Sequence, residues 1–95
     1  MIKKKRQRDG FVQVTFALPD GGEPVSVVAD VNGWDPHAHP LKKRSNGTRS
    51  VSMTVPEGSA IRFRYLDGNG MFFDDPEGDS VEPNGYGDTH TVLAV

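Results

Sequence analysis

The chain has 95 residues, no cysteine, 11 glycines, 7 prolines and a formal net charge of −2. That length supports one core and leaves little material for a deep catalytic pocket, and without cysteine no disulfide or thiolate metal site can form. Residues 1–49 hold nine Lys/Arg against five Asp/Glu, whereas residues 50–95 hold two against eight, so overall charge makes no case for nucleic acid as a partner.

Residues 1–10 open with a basic cluster, Lys3 to Arg8. Such a cluster can serve as an arm for an anionic surface, but Ile2 and its neighbours equally suit an edge strand whose lysines discourage edge-to-edge pairing. No apolar run follows it as in a signal peptide, and none reaches the length of a membrane span, so the sequence reads as cytoplasmic with no membrane partner.

Residues 11–18 alternate, with Val12, Val14, Phe16 and Leu18 on one face and Gln13, Thr15 and Ala17 on the other, which is the period of a half-buried strand. Pro19, Asp20, Gly21 and Gly22 are turn chemistry. Residues 25–30 form a second apolar strand that leads into Asn32, Gly33, Trp34, Asp35 and Pro36, an irregular turn at a strand end. Loops held at the end of a rigid scaffold are where binding residues concentrate.

Lys42, Lys43 and Arg44 precede Asn46-Gly47, a strong hairpin signal. Residues 48–55 then place Arg49, Val51, Met53 and Val55 on one face and the hydroxyls of Thr48, Ser50, Ser52 and Thr54 on the wet one. In residues 61–66, Ile61, Phe63 and Tyr65 are assigned to the core and Arg62 and Arg64 to the outer face. Asp67 to Gly70 is a turn that returns Met71, Phe72 and Phe73 beside that strand, where successive side chains point to opposite faces; Phe72 is assigned to the surface. Residues 74–88 read as an acidic loop, and residues 89–95 as the closing strand. About seven short strands at this spacing predict an all-β, immunoglobulin-like antiparallel sandwich.

Trp34 has few apolar neighbours in its own segment, which favours an exposed ring over a core ring. A ring on a rim suits a sugar, burying its apolar C–H face while Asn, Asp, Arg or Lys side chains bond the hydroxyls. His37 and His39 have His-x-His spacing but no third ligand nearby, so a polar turn is favoured over a metal site. Asp74, Asp75, Glu77 and Asp79 lack the alternation of a calcium loop. Paired catalytic carboxylates need a cleft that a sandwich of this size does not offer.

Taken in order, residues 27–36 with their Asn32-Gly33-Trp34-Asp35-Pro36 segment, Pro40-Leu41, Val55-Pro56-Glu57-Gly58, Phe63 to Gly68, Asp74-Asp75-Pro76 and Pro83-Asn84-Gly85-Tyr86-Gly87 resemble carbohydrate-binding module family 48. This is the isoamylase-type early-set domain that precedes the catalytic barrel in glycoside hydrolase family 13 enzymes. It also forms the glycogen-binding domain of the beta subunit of AMP-activated protein kinase. The resemblance covers residues 11–95.

It implies an early-set sandwich that binds alpha-1,4-glucan or packs against a catalytic domain. Trp34 matches the stacking tryptophan that follows Asn32, and Arg64 matches the basic residue that bonds hydroxyls. Phe72 stands where a second stacking tryptophan is usual, His90 where an asparagine is usual, and Val31 where a phenylalanine is usual before Asn32.

The expectation is therefore one stand-alone, cytoplasmic, non-catalytic domain, residues 1–95, that binds glycogen, starch or a malto-oligosaccharide. Trp34, Arg64, Phe72, His90 and Asn32 form its binding surface, and it uses no cofactor or metal. The alternatives are an interaction domain that docks onto a carbohydrate-active enzyme or other partner through the same aromatic rim and, least favoured, a glycoside hydrolase.

Overall fold

Alternating apolar side chains bury one face of a strand only if a second layer covers it, and here two antiparallel sheets do so. The computed structural model describes residues 2–19, 21–22, 24–83, 87 and 89–95. Its strands in chain order are β1 (Ile2–Arg6), β2 (Phe11–Pro19), β3 (Val25–Ala29), β4 (Lys42–Lys43), β5 (Thr48–Pro56), β6 (Ala60–Asp67), β7 (Phe72–Phe73), β8 (Ser80–Pro83) and β9 (Thr89–Ala94). One sheet has the order β1-β2-β5-β4; the other has the order β3-β6-β9-β8, with β7 also paired to β6. The all-β antiparallel sandwich read from the sequence is thus present, with nine strands in place of about seven, two of them only two residues long.

The core lies where the inward faces meet. Val12, Val14 and Phe16 of β2 and Met53 and Val55 of β5 face Val25, Val27, Ala29, Ile61, Phe63, Tyr65 and Leu93 of the other sheet. Phe16 joins the layers, its ring 4.8 Å from Phe63 and 6.4 Å from Tyr65, both edge-on, the geometry that ring quadrupoles favour. Each buried ring of this kind contributes about 1.5–3 kcal/mol. The basic start is an edge strand as expected: among the described residues β1 pairs with β2 alone, placing Lys3 opposite Thr15 and Lys5 opposite Gln13.

Strand β6 has a divided edge. Along one side it pairs with β3; along the other it pairs first with β9, through Ala60 to Phe63, and then with β7, through Tyr65 and Leu66. Asp74 and Asp75 bridge from the end of β7 to β9. Asp74 accepts hydrogen bonds from the hydroxyls of Thr89 (2.9 Å) and Thr91 (3.0 Å). Asp75 is buried and accepts from the Tyr65 hydroxyl (2.6 Å) and the Glu77 N–H (2.8 Å), while its own N–H donates to Thr91 Oγ1 (3.2 Å). Burial first, and then the bond to Asp75, push the Tyr65 hydroxyl pKa well above its ordinary value.

The acidic stretch therefore differs from the loop expected of residues 74–88. It contributes a buried carboxylate and a strand, β8, which pairs with β9 from Ser80–Val92 to Pro83–Thr89. Four residues ending in proline carry too little periodicity to announce a strand; the partner β9 supplies it. Asn84, Gly85 and Tyr86, part of the motif series above, lie outside the described residues.

Candidate functional site

The tryptophan turn grows directly from β3. After Ala29 the chain makes one 3-10 turn, Asp30–Asn32, and Gly33 takes the left-handed conformation at φ 70° and ψ 22°. The Gly33 N–H then donates to Asp30 O (3.3 Å) and the Trp34 N–H to Ala29 O (2.8 Å), the paired closing bonds of a glycine-terminated helix end. Trp34 is itself left-handed at φ 60°, a conformation that crowds Cβ against the following carbonyl and is rare for a bulky side chain.

Asn32 holds this turn in place. Its Oδ1 accepts from the Ala29 N–H (3.1 Å), and its Nδ2 donates to Val27 O (3.1 Å) and to His39 Nδ1 (2.9 Å). Both amide protons and the carbonyl are thereby engaged within the fold. The same contact accounts for His39, which faces Asn32. His37 caps through its backbone N–H onto Asp35 Oδ1 (2.8 Å). Among the described residues no three His, Asp or Glu side chains converge as metal ligands.

Trp34 is 43 % exposed. It meets the ring of His90, with centroids 5.8 Å apart and planes inclined at 31°. His90 is only 8 % exposed, and its Nε2 lies 2.8 Å from Glu82 Oε1. The same carboxylate oxygen accepts from Arg62 Nε. Arg62 in turn lies 3.8 Å from the Asp30 carboxylate, and its backbone N–H donates to Asp30 Oδ1 (3.2 Å). Asp30 opens the turn that carries Trp34, so the network closes on itself. The hydrogen bond to His90, then that to Arg62, hold the Glu82 carboxyl below the usual carboxylate range, and Glu82 raises the Arg62 pKa.

On the same outer face, β6 presents Arg64 and β7 presents Phe72. The Arg64 guanidinium carbon lies 4.9 Å from the centre of the Phe72 ring, within cation–π range, and its Nε is 3.7 Å from Asp74 Oδ1. Phe72 is 46 % exposed, whereas the neighbouring Phe73 turns its ring to Tyr65 at 5.1 Å. The β6–β9 register that pairs Phe63 with Thr91 leaves Arg64 and His90 as neighbours just past the end of that ladder. The outer face thus runs from Trp34 through His90 and Arg64 to Phe72.

Of the five residues expected at a binding surface, four therefore lie along one face. Two of these, Trp34 and Phe72, present half-exposed rings, and Arg64 lies between them. His90 is beneath Trp34, and Asn32 is turned into the loop. The sequence reading missed Glu82, Arg62 and Asp30 as a supporting circuit; the outward assignment of Arg62 was its one available signal.

No known family model matches the chain. It is 28% identical over 82 residues to a 1,4-alpha-glucan branching enzyme, GlgB, of Prochlorococcus marinus (strain MIT 9215). The match takes in 82% of this chain and 10% of that enzyme. The chain thus spans about a tenth of the length of the curated relative it matches, and the relation is a distant one.

Proposed function

We propose that the chain is a non-catalytic carbohydrate-binding module of the family 48 type, whose ligand is an alpha-1,4-glucan. The observation that carries this reading is the pair of half-exposed rings, Trp34 and Phe72, bracketing Arg64 on one sheet face. Each ring offers one open face for the C–H face of a glucose unit, and Arg64, its side chain 12 % exposed against Phe72 and Asp74, supplies a donor for a hydroxyl beside Phe72. The distant match to an enzyme named for 1,4-alpha-glucan supports the same ligand class. In this reading His90 and Asn32 act on the ligand indirectly, by seating Trp34. The site's carboxylates, Asp30, Glu82 and Asp74, are tied into ion pairs, which supports binding without bond cleavage.

Titration with maltoheptaose, followed by backbone amide shifts, tests the proposal. Shifts should cluster at Trp34, Arg64 and Phe72, and Trp34→Ala should abolish them. No shift at about 10 mM sugar, an affinity weaker than any useful binding, would overturn it. A protein seated on the same two rings is the competing occupant. It would be favoured if a partner captured by the intact chain were lost on Trp34→Ala and Phe72→Ala while sugar had no effect.

A further inference from the structure

The opposite sheet has an outer face of different chemistry. Alternation along β1 divides its lysines: Ile2 and Lys4 lie opposite Phe16 and Val14 on the inward side, while Lys3 and Lys5 lie opposite Thr15 and Gln13 on the outward side. Lys4 is spent on the fold, donating to Ala94 O and lying 4.0 Å from Asp79, and Arg6 is spent on Glu57. Lys3 and Lys5 are exposed and form no ion pair among the described residues. On the far edge, Lys42 lies opposite Ser50. Arg44 lies against the same serine, its Nε 3.0 Å from Ser50 Oγ. Both are exposed, and neither meets a carboxylate among the described residues.

The two cationic edges are three strand spacings apart, about 14 Å at some 4.8 Å per spacing. Between them lies a floor of hydroxyls, including Thr15 and Ser52, whose oxygens are 2.8 Å apart. At one end Phe11, opposite Pro56, adds a single exposed ring. Four cations, a hydroxyl floor and one apolar anchor make a surface that selects for negative charge.

We propose that this face docks an acidic segment of a partner protein, with side-chain carboxylates over the two basic edges and one apolar side chain on Phe11. Apolar side chains and charged groups together make up protein interfaces. Single-stranded nucleic acid requires successive rings for its bases, and among the described residues this face offers one. A duplex backbone offers phosphates but no apolar group to cover the exposed Phe11 ring.

The probe is a decaglutamate peptide titrated into the isotope-labelled chain. Amide shifts should follow β1, β4 and β5, and affinity should fall about tenfold when Lys3→Glu and Lys42→Glu are combined. It should fall again as salt rises from about 0.05 to 0.5 M. Trp34→Ala, on the other sheet, should leave this titration unchanged, and the charge reversals should leave the maltoheptaose titration unchanged. Both lysines are exposed, and an otherwise preserved amide spectrum establishes that the double variant is folded. Shifts lying elsewhere, or an affinity changed by less than about twofold on charge reversal, would overturn the proposal. Tighter binding of duplex DNA or phosphatidylserine vesicles through the same lysines would overturn it too, and would assign the face to that ligand.

Discussion

The indole of Trp34 rests on the imidazole of His90, 5.8 Å between ring centres, and His90 is fixed from the other side by Glu82 at 2.8 Å. The histidine is therefore a pedestal. It determines where the indole plane lies, and Glu82, Arg62 and Asp30 determine where the histidine lies. A ring preorganised in this way loses little freedom when a ligand stacks on it, which is the main route by which rigid aromatic contacts gain affinity.

Removing the pedestal should cost both stability and presentation of the ring. His90→Ala deletes a charge-assisted hydrogen bond and a ring contact, so it should destabilise the fold by about 1–3 kcal/mol. Trp34 is the one tryptophan in the chain, and its fluorescence reports this site directly: the emission should move to longer wavelength as water reaches both faces of the indole. His90→Gln, which keeps a donor for Glu82 but no ring, should retain more stability and show the same spectral change. An unchanged emission in both variants would refute the pedestal.

The backbone of Trp34 gives a second, independent test. A left-handed conformation costs an L-residue roughly 1–2 kcal/mol, a penalty glycine escapes. In most of a folded chain glycine is worse than alanine, but at φ 60° the order should invert. Trp34→Gly should be more stable than Trp34→Ala by about 1 kcal/mol in chemical denaturation, while both lose the platform. Strain of this kind is retained where the side chain is needed, and an alanine variant equal to or better than the glycine variant would remove the argument.

Much of this arrangement is written in local periodicity, and some is not. The two-residue alternation of β2, β5 and β6 assigns Phe16, Phe63 and Tyr65 to the core and Arg62 and Arg64 to the outer face, and the structure agrees. The same period sends Phe72 and Phe73 to opposite sides. What periodicity cannot express is pairing over long separations. The burial of His90 depends on a turn more than fifty residues earlier, and β8 exists because β9 offers it an edge. Asn32 reads as a ligand-facing amide because its residue type suits sugars; its three internal bonds follow from the curl of the turn.

Gly78 occupies a place that no other residue fits. A Cβ built there would lie 2.0 Å from the methyl carbon of Thr91. Thr91 cannot yield, because it is fully buried and its hydroxyl is held by Asp74 and Asp75. Gly78→Ala should therefore destabilise the fold by about 1–3 kcal/mol, measurable as a lowered denaturation midpoint. Thr91→Ser in the same chain removes the methyl group and keeps the hydroxyl, so it should recover part of the loss. A Gly78→Ala chain as stable as the parent would mean that the 74–79 segment packs elsewhere.

Two groups set opposite ends of the pH–stability profile. Glu82 has a folded pKa below its ordinary 4.5 because His90 and Arg62 bind the carboxylate. Its contribution is complete above about pH 4.5 and is lost as pH falls through the folded value, when the carboxyl protonates and releases both partners. Tyr65 is shifted the other way: burial and the bond to Asp75 raise its pKa far above the ordinary 10.0. Below pH 10 its contribution is complete. Above that the unfolded chain ionises while the folded hydroxyl does not, so stability should fall by about 1.4 kcal/mol per pH unit from this group. Denaturation measured across pH should separate the two, since Glu82→Gln should flatten the acid limb alone and Tyr65→Phe the alkaline limb alone. The slopes decide the matter, because Tyr65→Phe also leaves buried Asp75 short of a donor and lowers stability at every pH. An alkaline slope that survives Tyr65→Phe would place the titrating group elsewhere.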